Sequence, residues 1–133
     1  MNAPQMTRNQ ALVFDVLEKA EGPLSAYTIL DKLRDHGFRA PLQVYRALDT
    51  LIKGGFVHRL ESLNAFVACA EPHDHSHDMT AFAICDRCGQ VVEMSDHEVG
   101  EQLDHWVQST GFAAKKAVIE FRGTCAKCLA EAA

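Results

Sequence analysis

The sequence lacks an apolar run of the roughly 20 residues that a transmembrane helix needs. Residues 1–10 also lack the apolar segment of a secretory signal peptide. No internal repeat is found, and the only biased segment is a polar, histidine-rich stretch at residues 71–78. These absences exclude membrane and repeat proteins, and they predict a soluble cytoplasmic protein with reduced thiols.

The sequence also lacks an overall positive charge, which at first argues against nucleic-acid binding, since its formal net charge is -5 at pH 7. Residues 1–70 contain 8 basic and 7 acidic residues, whereas residues 71–133 contain 5 basic and 11 acidic residues. A near-neutral first part can still carry a local basic face, and an acidic, histidine-containing second part suits divalent cations. Ordinary solvated surfaces would give the same charges.

Five cysteines are present, and four of them form two C-x-x-C pairs, Cys85 with Cys88 and Cys125 with Cys128. Four thiolates on two tight turns are the ligand set of a closed tetrahedral Zn²⁺ site. The pairs are too far apart for one small zinc finger, so the metal is expected to join the end of the chain to its middle. Structural disulfides and redox exchange are the alternatives, but redox exchange explains only one pair.

Three helical patterns and two short strands precede the histidine-rich segment. The helix starts are marked by Thr7 with its capping-box partner Gln10, by Ser25, and by Pro41. Strands are predicted at residues 56–60 and 65–69, joined by a four-residue turn. Three helices followed by a β-hairpin predict a winged helix-turn-helix domain, whose third helix enters the major groove of DNA.

Polar and aromatic side chains on the second and third helices are the candidate DNA contacts: Tyr27, Gln43, Tyr45, Arg46, Thr50 and Lys53. An arginine such as Arg46 can donate two hydrogen bonds to guanine, whereas Lys53 suits a phosphate. The same pattern is compatible with an ordinary solvated helix face.

The second part of the chain predicts a smaller α/β unit. Strands are expected near residues 80–84, 90–94 and 117–122, with a helix capped by Asp96. Small size and apolar strand edges favour pairing with a second copy. The predicted fold class is therefore α+β, with three regions: a winged-helix DNA-binding domain at residues 1–70, a hinge loop at 71–79, and a dimerisation and metal-binding domain at 80–133.

A second zinc site is predicted at the boundary between the two parts. If the hairpin closes through its four-residue turn, His58 and Cys69 lie diagonally on one face of the sheet, about 7 to 8 Å apart at the backbone. His77 and Glu93 are the other two candidate ligands. A set that includes a thiolate favours Zn²⁺ over iron or manganese. The ordinary alternative is a buried cysteine with solvated histidine and glutamate side chains.

Several motifs together resemble the ferric uptake regulator family, and within it the zinc uptake regulator branch. They are Ser25-Ala26-Tyr27, Val44-Tyr45-Arg46-Ala47-Leu48, Gly55-Phe56-Val57-His58 and Ile84-Cys85-Asp86-Arg87-Cys88-Gly89. The resemblance runs from about residue 7 to residue 128, with the motifs in the same order.

This resemblance implies a homodimeric winged-helix repressor that binds AT-rich inverted repeats when loaded with zinc. It implies base contacts by Tyr27 and Arg46, and two Zn²⁺ per protomer. The structural ion would be held by the four paired cysteines, and the regulatory ion by His58, Cys69, His77 and Glu93. No membrane partner, small-molecule substrate or enzymatic activity is implied.

Departures from the family pattern leave some alternatives open. The histidine-rich loop is one residue longer than in close relatives, so that His75 could replace His77 as a ligand. Phe82 and Ala117 stand where iron-sensing members have histidines, which argues against an iron site and a third metal site. Three alternative functions are compatible with parts of the sequence. They are an iron- or peroxide-responsive member of the family, a zinc-ribbon interaction module and a hydrolytic zinc enzyme.

Overall fold

A computed structural model describes residues 6–69, 79–114 and 117–132. The chain divides into two compact units, Met1–Cys69 (unit 1) and Ala70–Ala133 (unit 2). Helices and small sheets occur in both units, which confirms the α+β class. None of the helices built from the described residues has the length and apolarity needed for a membrane span.

Unit 1 has the element order of a winged helix. Its elements are α1 (Arg8–Lys19), α2 (Ala26–Leu33), a 3-10 turn (Arg34–His36), α3 (Pro41–Lys53), β1 (Val57–Leu60) and β2 (Ala65–Ala68). The 3-10 turn ends at Gly37, whose φ of 94° is left-handed and therefore favours glycine.

Local sequence explains where the first two helices begin. The Thr7 hydroxyl accepts from the Gln10 N–H at 3.2 Å, and the Gln10 side chain accepts from the Thr7 N–H at 3.1 Å. This is the predicted capping box. The Ser25 hydroxyl accepts from the Thr28 N–H at 3.1 Å, which caps α2 as predicted.

The core of unit 1 is formed by one apolar face of each helix and by the hairpin. Its buried members include Val13, Leu17, Ile29, Leu30, Leu33, Phe38, Val44, Leu48, Leu51, Val57 and Phe66. Full burial of such a side chain contributes about 1.5 to 3 kcal/mol, so this cluster stabilises the arrangement of the three helices.

The hairpin has the predicted register, with His58 opposite Val67 and Leu60 opposite Ala65. Asn64 in the turn has a φ of 50°, a left-handed conformation that asparagine tolerates. An additional antiparallel bridge joins Leu24 to Phe66, with N···O distances of 3.0 and 2.8 Å. This bridge attaches the segment before α2 to the wing.

The described residues of unit 2 form a three-stranded sheet with two helices. Its elements are β3 (Met79–Cys85), β4 (Val91–Asp96), α4 (His97–Ser109), β5 (Ile119–Gly123) and α5 (Ala126–Ala132). The strand order is β4-β3-β5, with β3 antiparallel to β4 and parallel to β5. The Asp96 carboxylate accepts from the Val99 N–H at 3.0 Å and caps α4 as predicted.

Two features of unit 2 differ from the sequence prediction. The last strand begins at Ile119 rather than at residue 117, and α5 was not predicted at all. The segment that forms α5 is short and alanine-rich and contains one cysteine, Cys128, so it gives no recognisable apolar stripe.

Candidate functional site: a four-thiol cluster and the recognition-helix face

The four paired cysteines meet at one edge of the unit 2 sheet. Cys85 ends β3 and lies opposite Gly123 of β5. Because β3 and β5 are parallel, their carboxyl ends lie side by side, and the turns that follow them bring both C-x-x-C pairs together. Cys128 lies in α5, which begins directly after Cys125.

The sulfur geometry fits a tetrahedral metal site. All four Sγ atoms lie within 4.8 Å of one another. The Cys85–Cys128 and Cys88–Cys125 sulfur pairs are each separated by 3.8 Å. Zn–S bonds of about 2.3 Å at the corners of a tetrahedron place the sulfurs roughly 3.8 Å apart, whereas a disulfide needs about 2.05 Å. The donor set and its spacing therefore fit Zn²⁺, and all five cysteines are outside disulfides.

Backbone hydrogen bonds prepare one of the four sulfurs for metal binding. The Cys88 and Cys125 N–H groups donate to the Cys85 sulfur at N···S distances of 3.5 and 3.3 Å. These donors lower the pKa of Cys85 to about 6, which favours its thiolate form. Burial, followed by a hydrogen bond with the Cys125 side chain, raises the pKa of Cys128 to about 12. A bound divalent cation favours the thiolate form of both residues.

Two arginine side chains form hydrogen bonds next to the four-thiol cluster. Arg122 of β5 donates two hydrogen bonds to Oδ1 of Asp86, at 2.9 and 2.6 Å. Arg87 donates to the carbonyl oxygen of Cys128 at 3.3 Å. Each contact joins the first C-x-x-C turn to the chain around the second one. The sequence does not predict these contacts, because they depend on how β5 pairs with β3 and on where α5 lies.

His58 and Cys69 lie together in unit 1. The Cys69 N–H donates to the Phe56 carbonyl at 2.8 Å, which extends the hairpin pairing past the end of β2. A ring nitrogen of His58 and the Cys69 sulfur lie within 4.8 Å of each other. The Cys69 side chain and the His58 Nε2 atom are both buried. Sequence reasoning predicted this proximity from the hairpin register.

The other two candidate ligands lie in the second part of the chain. Glu93 is half-buried in β4, opposite Phe82 of β3. His77 and its alternative His75 lie outside the described residues.

The candidate DNA-contacting residues have different surroundings. Exposed members are Tyr27, which is 63% exposed at the start of α2, and Arg46, Thr50 and Lys53 on α3. Tyr45 packs partly against the core. The Thr50 hydroxyl donates to the Arg46 carbonyl at 3.4 Å.

Gln43 is engaged with the backbone at the start of α3. Its side-chain oxygen accepts hydrogen bonds from the N–H groups of Arg39 at 2.6 Å and Ala40 at 3.0 Å. A direct base contact by Gln43 stays a prediction, and in this conformation only its amide nitrogen is available for one.

A winged helix followed by a four-thiol cluster defines the class of metal-binding, DNA-binding regulators. A profile of the Ferric uptake regulator family matches residues 2–122. The chain therefore belongs to the ferric uptake regulator family.

Two proteins with sequences similar to this chain are zinc uptake regulation proteins. The zinc uptake regulation protein of Escherichia coli K12 is 39% identical over 126 residues, covering 94% of this chain and 73% of that protein. The protein of the same name from Mycobacterium tuberculosis H37Rv is 31% identical over 126 residues, covering 92% of each chain.

Two solved structures are similar over nearly the whole chain. A zinc uptake regulator in complex with zinc and DNA is 38% identical, with a TM-score of 0.89, and covers 97% of this chain and 87% of its own. Holo XcZur is 43% identical, with a TM-score of 0.87, and covers 97% of this chain and 89% of its own.

Proposed function

We propose that this protein is a zinc-responsive transcriptional repressor that binds operator DNA as a zinc-loaded homodimer and controls zinc uptake genes. The observation that carries the proposal is its similarity, over 97% of the chain, to a zinc uptake regulator solved with zinc and DNA. Because its partner would be chromosomal DNA, the proposed location is the cytoplasm.

The first of two proposed zinc ions is structural and is held by the four paired cysteines. The sulfur spacing supports this role, because the four thiolates complete a closed tetrahedron. A closed site leaves no position for a substrate or an activated water, so the cluster gives no support to a hydrolytic enzyme.

The second proposed ion is regulatory, and its ligands are His58, Cys69, His77 and Glu93. The closeness of His58 and Cys69 at the base of the wing supports half of this set. One thiolate with two imidazoles and one carboxylate is a donor set that suits Zn²⁺. An iron- or peroxide-sensing role is less well matched, because a thiolate favours softer ions.

The regulatory ion would act by favouring one arrangement of the chain. If His58 and Cys69 bind the same ion as His77 and Glu93, zinc stabilises the state in which the wing and the second part are fixed together. To raise the fraction of protein that can bind DNA from 1% to 99%, zinc must bind this state more favourably than the other state by about 5.5 kcal/mol. Four ligands drawn from both parts make that difference attainable.

Homodimer formation is supported by the apolar surface of unit 2. Large hydrophobic side chains that are exposed there include Val92, Met94, Val99, Trp106, Phe112 and Phe121. A groove of about 320 Å³ beside the four-thiol cluster is lined by Ala83, Val92 and Phe121, among others. A second copy that covers this surface would give the protein two α3 helices, the number that an inverted repeat requires.

The proposal is tested by fluorescence anisotropy of labelled duplexes that carry candidate AT-rich inverted repeats. Zinc is titrated in a metal buffer, and the number of zinc ions per protomer is counted in parallel. Specific binding should appear only as occupancy rises from about one ion to about two. Specific binding already complete at about one ion would contradict a regulatory second site, and iron(II) in place of zinc tests the alternative metal.

A further inference from the structure

The start of α3 differs from the starts of α1 and α2, because its N-cap residue has no side-chain acceptor. That residue is Ala40, with an extended backbone at φ -138° and ψ 146°. Pro41 follows at the first helical position and has no N–H group. The usual Ser, Thr, Asn or Asp cap is therefore missing from the helix that carries the proposed DNA-reading residues.

One side chain from within the helix makes up for this missing cap. The Gln43 oxygen accepts from two consecutive backbone amides, those of Arg39 and Ala40, at 2.6 and 3.0 Å. This is the half of a capping box in which the third helical residue reaches back to the N-cap amide, extended by one residue. A single oxygen thereby fixes the backbone on both sides of the helix start.

The same two hydrogen bonds limit what Gln43 can do on DNA. A glutamine reads adenine by donating from its nitrogen and accepting with its oxygen at the same time. In this structure the oxygen is already occupied by the backbone. Arg46, one helical turn further on, is exposed.

We infer that Gln43 is a positioning residue for DNA recognition, which fixes the first turn of α3 so that Arg46 meets the bases in one orientation. This inference deepens the proposed function and rests on it. A positioning residue acts through the base pair that Arg46 reads, and any side chain with the same hydrogen-bond acceptor can replace it, whereas a base reader sets the preference at a base pair of its own.

Two substitutions separate the hydrogen-bond acceptor from the rest of the side chain. Gln43→Met keeps the length but removes the acceptor. Gln43→Glu keeps oxygen acceptors at a helix N-terminus, where a carboxylate is favourable, and removes the amide donor. Gln102→Met, at an exposed position of α4, is the matched control for the methionine change.

The first readout is hydrogen exchange of the Arg39 and Ala40 amides, measured by NMR in the zinc-loaded protein without DNA. Gln43→Met should speed their exchange by about five- to tenfold, as expected for losing one ordinary hydrogen bond. Gln43→Glu and Gln102→Met should leave it near the wild-type rate. Unchanged exchange in Gln43→Met would overturn the positioning role without reference to DNA.

The second readout is binding to a duplex that the zinc-loaded wild-type protein selects from a randomised library, and to its single-base-pair variants. Gln43→Met should weaken binding and reduce discrimination at the base pair that Arg46→Ala affects, whereas Gln43→Glu should keep that discrimination. Loss of discrimination in both Gln43→Met and Gln43→Glu, at a base pair that Arg46→Ala leaves unaffected, would show base reading by Gln43 and overturn the inference. If the wild-type protein selects no sequence, the proposed function itself fails, which is a different result from unchanged amide exchange.

Discussion

The sulfur atoms of Cys85 and Cys128 lie 3.8 Å apart, although the two residues are 43 positions apart in the sequence. The contact holds the last helix against the end of β3. Among the described residues of unit 2, the buried hydrophobic side chains are Phe82, Ile84, Cys85 and Cys128. Two of these four are proposed zinc ligands, so we expect the stability of this unit to depend on bound metal more than on an apolar core.

Replacing Cys125 by serine should therefore unfold unit 2 or leave it only partly folded. The substitution removes one thiolate from the tetrahedron and is expected to cost several kcal/mol, because a structural zinc site contributes folding free energy directly. Thermal unfolding followed by circular dichroism, with zinc counted per protomer, measures the effect. A variant that keeps its full zinc content and melting temperature would show that the cluster is not a structural site.

Replacing Cys69 by serine is the matched control for Cys125→Ser, because the chemical change is the same. We expect a different result. The fold should be retained, and the zinc concentration needed for DNA binding should rise by about tenfold or more, since one of four ligands is weakened. Anisotropy in zinc buffers measures the shift. Collapse of the circular dichroism spectrum would contradict the division into one structural and one regulatory ion.

Sequence patterns predicted the features that depend on short separations along the chain. The caps at Thr7 and Ser25 and the hairpin register that brings His58 close to Cys69 all follow from neighbouring residues. The C-x-x-C spacing likewise predicted that four thiols would be brought together.

Contacts between distant residues could not be predicted in the same way. The hydrogen bonds of Arg122 with Asp86, and of Arg87 with the Cys128 carbonyl, depend on the parallel pairing of β3 with β5. The hydrogen bonds that Gln43 accepts from the Arg39 and Ala40 amides were not predicted, because its outward position on the helical pattern indicated a DNA contact.

Arg46→Ala and Lys53→Ala should weaken DNA binding in different ways. Arg46 is the proposed base reader, so its loss should cost about 1 to 3 kcal/mol of discrimination at one base pair in each half-site. Lys53 at the end of α3 is predicted to contact a phosphate, so its loss should weaken binding to all duplexes alike. It should also reduce the slope of log affinity against log salt concentration by about one. Binding isotherms at several salt concentrations distinguish the two effects. Retained discrimination in Arg46→Ala would remove this residue as the reader.

Two leucines of α3 provide a matched test of the winged-helix core. Leu48 is 1% exposed, whereas Leu42 in the same helix is 56% exposed. Leu48→Ala should lower the free energy of unfolding of unit 1 by about 2 to 5 kcal/mol, since it leaves a cavity between the helices. Leu42→Ala should change it by about 0.5 kcal/mol or less. Denaturant unfolding measures both, and equal effects would contradict the assigned helix orientation.

Phe121→Glu should convert the proposed dimer into a monomer. Phe121 lies in β5 and is 58% exposed in the single chain, next to Ala83 and Val92 in the groove of unit 2. Placing a carboxylate in a buried apolar interface costs several kcal/mol unless it finds a partner. Sedimentation equilibrium of the zinc-loaded protein measures the mass, and Phe112→Glu tests a second exposed aromatic residue of the same unit. If Phe121→Glu remains a dimer with unchanged affinity, the β5 edge is not the interface, and a surface that includes Trp106 or Phe112 on and after α4 becomes the better candidate.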